Sequence, residues 1–255
     1  MLIQPILDTL NRLKLLGMAL GLTEQMTQSA AQELPFEDRL TLLLEREERH
    51  RENRRLTRLL QLAQLKERAA VIEDIDYRSR RGLDRSQLTS LASCEWIRAG
   101  QGVLIHGATG CGKTYLACAL AHQACRQGLS AWYVRAPRLF EELNLCHADG
   151  SFRKRLAAIA KLQLLVIDDF AIAPIGARER SDLLELLDDR AGTRATLITS
   201  QLPIEHWHEY IGDPTLADAI LDRLVHRSHR IHLQGKESMR GREGAPTRTT
   251  AAARN

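Results

Sequence analysis

Aromatic residues and long apolar runs are scarce in this chain, and each scarcity excludes a class of protein. Phenylalanine, tyrosine and tryptophan make up 4% of the 255 residues, too few for a surface that stacks the bases of single strands. No apolar run approaches the roughly 18 residues of a membrane-spanning helix. Asp8, Arg12 and Lys14 interrupt the apolar N-terminal segment, which argues against a signal peptide. We therefore expect a cytoplasmic protein without a membrane partner.

The cysteines lack the spacing of a metal site or a disulfide framework. There are five of them, Cys94, Cys111, Cys118, Cys125 and Cys146. An odd number without short paired spacings matches neither a zinc ribbon nor a set of disulfides. We expect these residues to be buried as small apolar side chains.

The order of segments predicts a helical N-terminal region, an α/β domain and a short tail. Residues 1–70 have the spacing of amphipathic helices, and Pro35 is expected to begin a long one. An extended connector and a helix over about 85–98, begun by an Asp84–Gln87 capping box, lead into the strand "VLIH". Strands then alternate with helices, the pattern of a parallel sheet flanked by helices. The α/β domain is placed at 71–235 and a basic, flexible tail at 236–255.

The segment "GATGCGKT" at 107–114 matches the phosphate-binding loop G-x-x-x-x-G-K-[ST]. Glycine permits positive φ, so that successive backbone N–H groups point into a phosphate-sized cavity. Lys113 would reach the β and γ phosphates and the Thr114 hydroxyl would bind Mg²⁺, which predicts ATP and Mg²⁺ as cofactors. The expected nucleotide contacts are Gly107, Ala108, Thr109, Gly110, Cys111, Gly112, Lys113, Thr114 and Tyr115.

Two further strands are expected to end in polar residues at the same edge of the sheet. "LLVIDD" places Asp168 where it would hold magnesium and Asp169 where it would orient or deprotonate the attacking water. The alternative is that these two acids cap a helix or form a turn. "TLITSQ" ends in Thr199, Ser200 and Gln201, of which Ser200 first and Gln201 second are candidates to sense the γ-phosphate. A turn signal is the alternative there.

Arginines cluster in two helical segments. "DAILDRLVHRSHRI" carries Arg223, which is either an arginine finger for a neighbouring subunit or part of a surface Asp-Arg helix. Residues 46–68 alternate arginine with glutamate, which indicates either a solvated helix with i,i+4 ion pairs or a basic arm that faces phosphates or a partner. The net charge of +4 is too small to decide between these readings.

The ordered set of motifs resembles a known family. "LKLLGMALGL", "PFEDRLTLLLEREERHRENRRL", "EDIDYRSRRGLDR", "GATGCGKTYLA", "LLVIDDF", "TLITSQLPIEHWH", "ILDRLVHRSHRI" and "KESMR" cover about residues 10–240. Together they are similar to the IstB-type transposition helper ATPases of bacterial insertion sequences, relatives of the helicase loader DnaC in the AAA+ superfamily. The phosphate loop alone would not support this assignment.

The resemblance implies an AAA+ P-loop domain with an N-terminal helical region and ATP-dependent homo-oligomers. It also implies binding of duplex DNA with little sequence preference, and delivery of that DNA to a cognate transposase that stimulates hydrolysis. Arg223 would be the finger supplied in trans, and Arg240 a second nucleotide-sensing arginine. Candidate DNA contacts are Arg51, Arg54, Arg55, Arg58, Arg78, Arg80 and Arg81.

The second acidic residue departs from the usual AAA+ pattern. Most AAA+ ATPases have Asp-Glu at this position, whereas this chain has Asp168-Asp169. Because aspartate is one methylene shorter than glutamate, its carboxylate would lie farther from the attacking water. We expect slow basal hydrolysis, which suits a timed switch better than a continuous motor.

Three alternative functions stay open at this point. A DnaC-like loader of a replicative helicase would share the AAA+ domain. A small-molecule P-loop kinase would need neither DNA nor an oligomer for turnover. An ATP-gated DNA-binding scaffold would hydrolyse ATP negligibly.

Overall fold

The residues that the structure describes fall into two compact units, divided between Gln61 and Leu62. The computed structural model describes residues 3–77 and 82–234. Within these two ranges, no helix has the length and apolar character needed to cross a bilayer.

The first unit is helical. Its helices are Gln4–Arg12 (α1), Leu16–Thr27 (α2), Ser29–Gln32 (α3) and Phe36–Ala63 (α4), of which the last two residues belong to the second unit. The long helix expected after Pro35 is α4, and its first turn carries Glu37 and Asp38, where acidic side chains favour the helix dipole.

Gly17 on α2 and the buried Glu47 on α4 bring these two helices into close contact. A Cβ on Gly17 would lie 2.6 Å from the Cα of Glu47, so only glycine lets the two backbones approach this closely. The carboxylate of Glu47 accepts hydrogen bonds from the N–H groups of Gly17 (2.7 Å) and Met18 (3.1 Å), the first turn of α2. Burial alone would raise the pKa of Glu47, but the bonds from Arg51 and from these N–H groups outweigh it and lower that pKa.

The second unit is a five-stranded parallel sheet flanked by helices, which confirms the predicted fold class. Its strands are Gly102–Gly107 (β1), Ala131–Arg135 (β2), Leu164–Phe170 (β3), Ala195–Ser200 (β4) and Ser228–Leu233 (β5). The helices are Arg85–Ala92 (α5), Glu95–Arg98 (α6), Lys113–Arg126 (α7), Ala136–Asp149 (α8), Phe152–Ala160 (α9), Ala177–Arg190 (α10), Trp207–Ile211 (α11) and Pro214–Val225 (α12). The strand order is β2-β3-β4-β1-β5, so β4 lies between β1 and β3. The carboxyl ends of these three strands therefore meet at one edge of the sheet.

The region before the sheet differs from the predicted single helix. Helices α5 and α6 are separated at Cys94, which has a left-handed φ of +61°. Asp84 caps α5 through the N–H of Ser86, whereas the side-chain amide of Gln87 donates to the carbonyl of Arg230 instead of closing a capping box.

The cysteines are packed largely as expected. Cys94, Cys111, Cys118 and Cys125 are buried, and Cys146 is partly exposed. Burial raises the pKa of Cys94, Cys118 and Cys125 to about 11, so these thiols stay protonated at neutral pH.

Candidate functional site

The phosphate loop connects β1 to α7 and depends on glycine for its shape. Gly107, Gly110 and Gly112 have φ angles of +154°, +81° and +94°. A Cβ on Gly107 would lie 2.2 Å from the carbonyl oxygen of Leu233 on β5, so a side chain cannot fit there. Helix α7 starts directly after Gly112 without a capping side chain, which leaves its first N–H groups to an anion.

Lys113 folds back over this loop. Its buried ammonium group donates to the carbonyls of Gly107 and Ala108, both at 2.8 Å, and lies 3.9 Å from the sulfur of Cys111. These carbonyls hold the ammonium group against the loop. Phosphate oxygens can replace them as acceptors, which fits the role expected of Lys113.

Asp168 is fully buried at the end of β3 and is surrounded by hydroxyl groups. Thr114 donates to its two oxygens (3.0 and 3.2 Å), Tyr133 on β2 donates at 2.5 Å, and Thr199 on β4 donates as well. Burial and the bond to Asp168 raise the pKa of Tyr133, so this hydroxyl stays a donor. A carboxylate beside a threonine hydroxyl is the oxygen donor set that magnesium prefers. These residues fit a bound magnesium ion.

Asp169 has an irregular backbone. Its φ is +58°, and the pairing of β3 with β4 shifts register between Ile167 and Phe170. A left-handed conformation is uncommon for a residue with a side chain and is typical of functional positions. The carboxylate accepts a hydrogen bond from Nε of Arg135 at 2.9 Å, in an ion pair at the end of β2.

Sequence reasoning did not identify Tyr133 or Arg135. Both lie on β2, which pairs with β3 so that Arg135 stands opposite Asp168. The segment "SAWYV" predicted the strand β2. Which strand pairs with β2 depends on long-range contacts, so the pattern of residues along the chain did not predict that these two side chains would lie beside Asp168 and Asp169.

The three polar residues at the end of β4 have different surroundings. Thr199 donates to Asp168 and accepts from the N–H of Asp169 (3.2 Å). Ser200, the first candidate, is buried, with its hydroxyl between the carbonyl of Phe170 (2.8 Å) and the N–H of Leu202 (3.0 Å). Gln201 accepts from the hydroxyl of Thr109 in the phosphate loop at 2.8 Å. Of the three side chains, Gln201 is the one bonded to that loop.

Arg223 lies far from this site within one chain. It projects from α12 into a cleft lined by Gly102 and Ser228, the first residues of β1 and β5. The phosphate loop follows the other end of β1, about 17 Å away at about 3.3 Å per residue. Arg223 pairs with Asp188 of α10 and donates to the carbonyl of Ala219 at 2.7 Å.

The candidate DNA-binding arginines lie partly on α4 and partly outside the described residues. Arg51, Arg54, Arg55 and Arg58 are exposed on α4. The i,i+4 ion pairs Arg51–Glu47 at 2.7 Å and Arg49–Glu45 at 3.4 Å form along this helix. Arg78, Arg80, Arg81 and Arg240 lie outside the residues that the structure describes.

Together, the loop after β1, the buried aspartate at the end of β3 and the strand between them define a P-loop ATPase of the AAA+ type. The chain belongs to the family of IstB-like ATP binding proteins, whose sequence model matches residues 8–246. This confirms the resemblance and identifies the chain as an ATPase of the IstB type.

The relatives come from insertion sequences. The chain is 48% identical over 240 residues to an insertion-sequence ATP-binding protein of Sinorhizobium fredii, which covers 94% of this chain and 97% of the relative. It is 50% identical over 203 residues to an ATP-binding protein of insertion sequence IS1162 from Pseudomonas fluorescens, covering 80% and 88%. The crystal structure of DnaI matches with a TM-score of 0.52 at 21% identity, covering 69% of this chain and 93% of that one, and it supports the fold alone.

Proposed function

We propose that this ATPase is a DNA transposition helper that assembles on duplex DNA in its ATP-bound form and delivers that DNA to a transposase. Hydrolysis of ATP then ends the state in which the assembly holds and delivers DNA. The observation that carries the proposal is the separation of Arg223 from the phosphate loop, at opposite edges of one sheet. An arginine at that position can complete a hydrolytic site only in another copy of the chain, in a head-to-tail assembly.

Each residue at the carboxyl edge has a proposed task. Lys113 and the N–H groups of the loop bind the phosphates, while Thr114 and Asp168 hold magnesium, which neutralises phosphate charge when bound. Asp169 orients the attacking water and accepts its proton. Gln201 takes the γ-phosphate-sensing task first considered for Ser200, because it already contacts the loop.

The exposed arginines of α4 are the proposed DNA contacts. A 28-residue helix that presents Arg51, Arg54, Arg55 and Arg58 to solvent suits phosphate contacts, and an oligomer would repeat them along a duplex. Such contacts give affinity without base preference. The transposase is proposed as the partner because the relatives are ATP-binding proteins of insertion sequences.

Mixing two inactive variants tests the shared site. Asp169→Asn removes the carboxylate that would orient the attacking water but keeps the loop lysine and Arg223, so this chain can still bind ATP and assemble, whereas Arg223→Ala keeps Asp169. With duplex DNA present, each variant alone should release phosphate slowly. A one-to-one mixture should recover about one quarter of the wild-type rate per chain, because about one interface in four joins an intact Asp169 to an intact Arg223. A mixture no faster than its separate components, from folded variants that bind ATP and DNA normally, would overturn the shared site.

A second experiment tests DNA binding and delivery. Replacing Arg54 and Arg55 by alanine should reduce the salt slope of duplex binding by about 2, with the exposed pair Arg153 and Lys154 on α9 replaced by alanine as the charge-matched control. Immobilised cognate transposase should retain labelled duplex only with this protein and ATP. Retention by a replicative helicase instead would favour the helicase-loader alternative.

A further inference from the structure

A basic cleft opens at the amino edge of the sheet, opposite the phosphate loop. Its volume is about 340 Å³, and its walls come from the ends of α10 and α12 and the starts of β1, β4 and β5. Six of the residues that line it carry ionisable side chains: Arg190, Arg194, Asp222, Arg223, His226 and Arg227. The arginines outnumber the single acidic residue, so the cleft carries an excess of positive charge.

The arginines of the cleft differ in how they are already bonded. Arg190 is buried, and its guanidinium group is already bonded within the second unit. It donates to the carbonyls of Ile159 (2.7 Å) and Leu162 (3.0 Å) and to the hydroxyl of Thr196 (3.1 Å). Burial and the nearby Arg194 lower the pKa of Arg190 to about 9, so it remains a cation at neutral pH and adds to the potential of the cleft.

Arg223 already forms an ion pair with Asp188, whereas Arg227 lies in a different part of the cleft wall. It follows α12 in the turn before β5, four residues after Arg223, and its guanidinium lies beside Gly192, where an added Cβ would be 3.8 Å from Nη1. Its own carbonyl accepts from the N–H of Gly102 at 2.9 Å, which fixes the backbone at the start of β1. Across residues 3–77 and 82–234, no side-chain hydrogen bond or ion pair is formed by Arg227 or Arg194.

The occupant of the cleft must bring negative charge from outside the chain. Cations without a carboxylate partner are stabilised by an anion with several oxygen acceptors, and guanidinium groups match phosphate geometry. The chain's own nucleotide is bound about 17 Å away at the other end of β1, so it cannot be that anion. In a head-to-tail assembly, the face that carries Arg223 meets the loop of the next copy.

We propose that this basic cleft receives the triphosphate bound in the loop of a second copy, and that Arg227 contacts those phosphates together with Arg223. The inference rests on the proposed function, since it requires the same head-to-tail assembly. It adds a second trans-acting arginine and a recognition surface around it. Arg223 and Arg227 both line this cleft, whereas Arg190 stays bonded to the carbonyls of Ile159 and Leu162.

Arg227→Gln removes the charge of an exposed side chain and leaves a shorter polar side chain in its place. Loss of one charge-assisted hydrogen bond to the reacting phosphates should lower kcat by about 10- to 100-fold. Arg153→Gln on α9 is the matched control, because Arg153 is also exposed and lies outside the cleft; its hydrolysis should equal that of wild type. Unchanged hydrolysis by Arg227→Gln would overturn the inference.

Subunit mixing separates this inference from the proposed function. The Arg227→Gln chain has an intact Asp169, and the Asp169→Asn chain has an intact cleft, so their mixture should recover about one quarter of the wild-type rate per chain. If this mixture stays inactive while Asp169→Asn with Arg223→Ala recovers, Arg227 acts within its own chain, and only the inference fails. If neither mixture recovers, the head-to-tail site itself fails.

A duplex DNA backbone is the competing occupant. If the cleft bound DNA, Arg227→Gln would reduce the salt slope of duplex binding by about 1 and leave DNA-independent hydrolysis unchanged. That result would overturn the inference. An unchanged salt slope, together with the loss of hydrolysis and its recovery on mixing, supports the neighbouring triphosphate as the occupant.

Discussion

The ion pair between Arg135 and Asp169 should slow basal hydrolysis, and Arg135→Gln should relieve this restraint. Nε of Arg135 lies 2.9 Å from the carboxylate that we propose to orient the attacking water. While that bond is formed, the carboxylate is fixed toward β2 and one of its oxygens is occupied. Substitution by glutamine removes the charge, so Asp169 is released to face the nucleotide more often.

The exposure of the two side chains sets the size of the effect. Arg135 is 50% exposed and Asp169 is 17% exposed, so solvent screens much of their attraction. Pairs of this kind contribute about 0.2–1 kcal/mol, which corresponds to a rise of at most about fivefold in the fraction of free Asp169. We expect basal turnover to rise by about 1.4- to fivefold at saturating ATP without DNA.

The assay is steady-state release of inorganic phosphate at fixed protein concentration and low salt, where ion pairs are strongest. Arg138→Gln is the matched control, because it removes an exposed positive charge from the adjacent α8 without affecting the pair. The reasoning is refuted if Arg135→Gln lowers basal turnover, or if it changes turnover no more than Arg138→Gln does. High salt should reduce the difference between wild type and Arg135→Gln.

Three further predictions concern a magnesium-site hydrogen bond, a close helix contact and the γ-phosphate-sensing residue. Tyr133→Phe removes a hydrogen bond to the proposed magnesium-binding carboxylate, so the magnesium concentration for half-maximal hydrolysis should rise about 10-fold, and an unchanged titration would contradict its supporting role. Gly17→Ala should destabilise the first unit by about 1–3 kcal/mol in urea denaturation, because its Cβ would meet backbone. Gly21→Ala meets only side-chain atoms and should lose less, so equal losses would contradict the close-approach argument. Gln201→Ala should lower kcat without lowering Tm, whereas Ser200→Ala should lower Tm; the reverse pattern would return the sensing task to Ser200.

Local patterns in the sequence predicted the parts of the fold that depend on neighbouring residues. The strand before Gly107 and the helix from Lys113 follow from apolar content and loop chemistry within a dozen residues, and the structure contains both. The break at Cys94 was missed because a left-handed residue other than glycine has no composition signal. The residues on both sides of Cys94 still have the pattern of a helix.

Contacts between strands could not be read from the sequence in the same way. The surroundings of Asp168 depend on β2 and β4 lying on either side of β3, and strand order is set by crossover connections rather than by local residues. The bulge in β3 lets Phe170 resume pairing with Ser200. This explains why the hydroxyl of Ser200 accepts from the N–H of Leu202 and donates to the carbonyl of Phe170. From the sequence alone, the position of Ser200 at the end of a strand resembled that of a residue that faces a ligand.

Under the proposed function, Arg223 would have to leave Asp188 before it could act on a neighbouring copy, and the free energies involved are compatible with that step. The two side chains are 29% and 48% exposed, so breaking their ion pair costs about 1 kcal/mol or less. An arginine finger in trans accelerates phosphoryl transfer by about 10³–10⁵, equivalent to about 4–7 kcal/mol of transition-state stabilisation. The pair therefore holds the arginine in a defined place in the free chain and yields readily to a neighbour's phosphates. Asp188→Asn should leave the maximal rate of the assembled ATPase within about fivefold of wild type, and a drop as large as that of Arg223→Ala would show that Asp188 positions the arginine during the reaction as well.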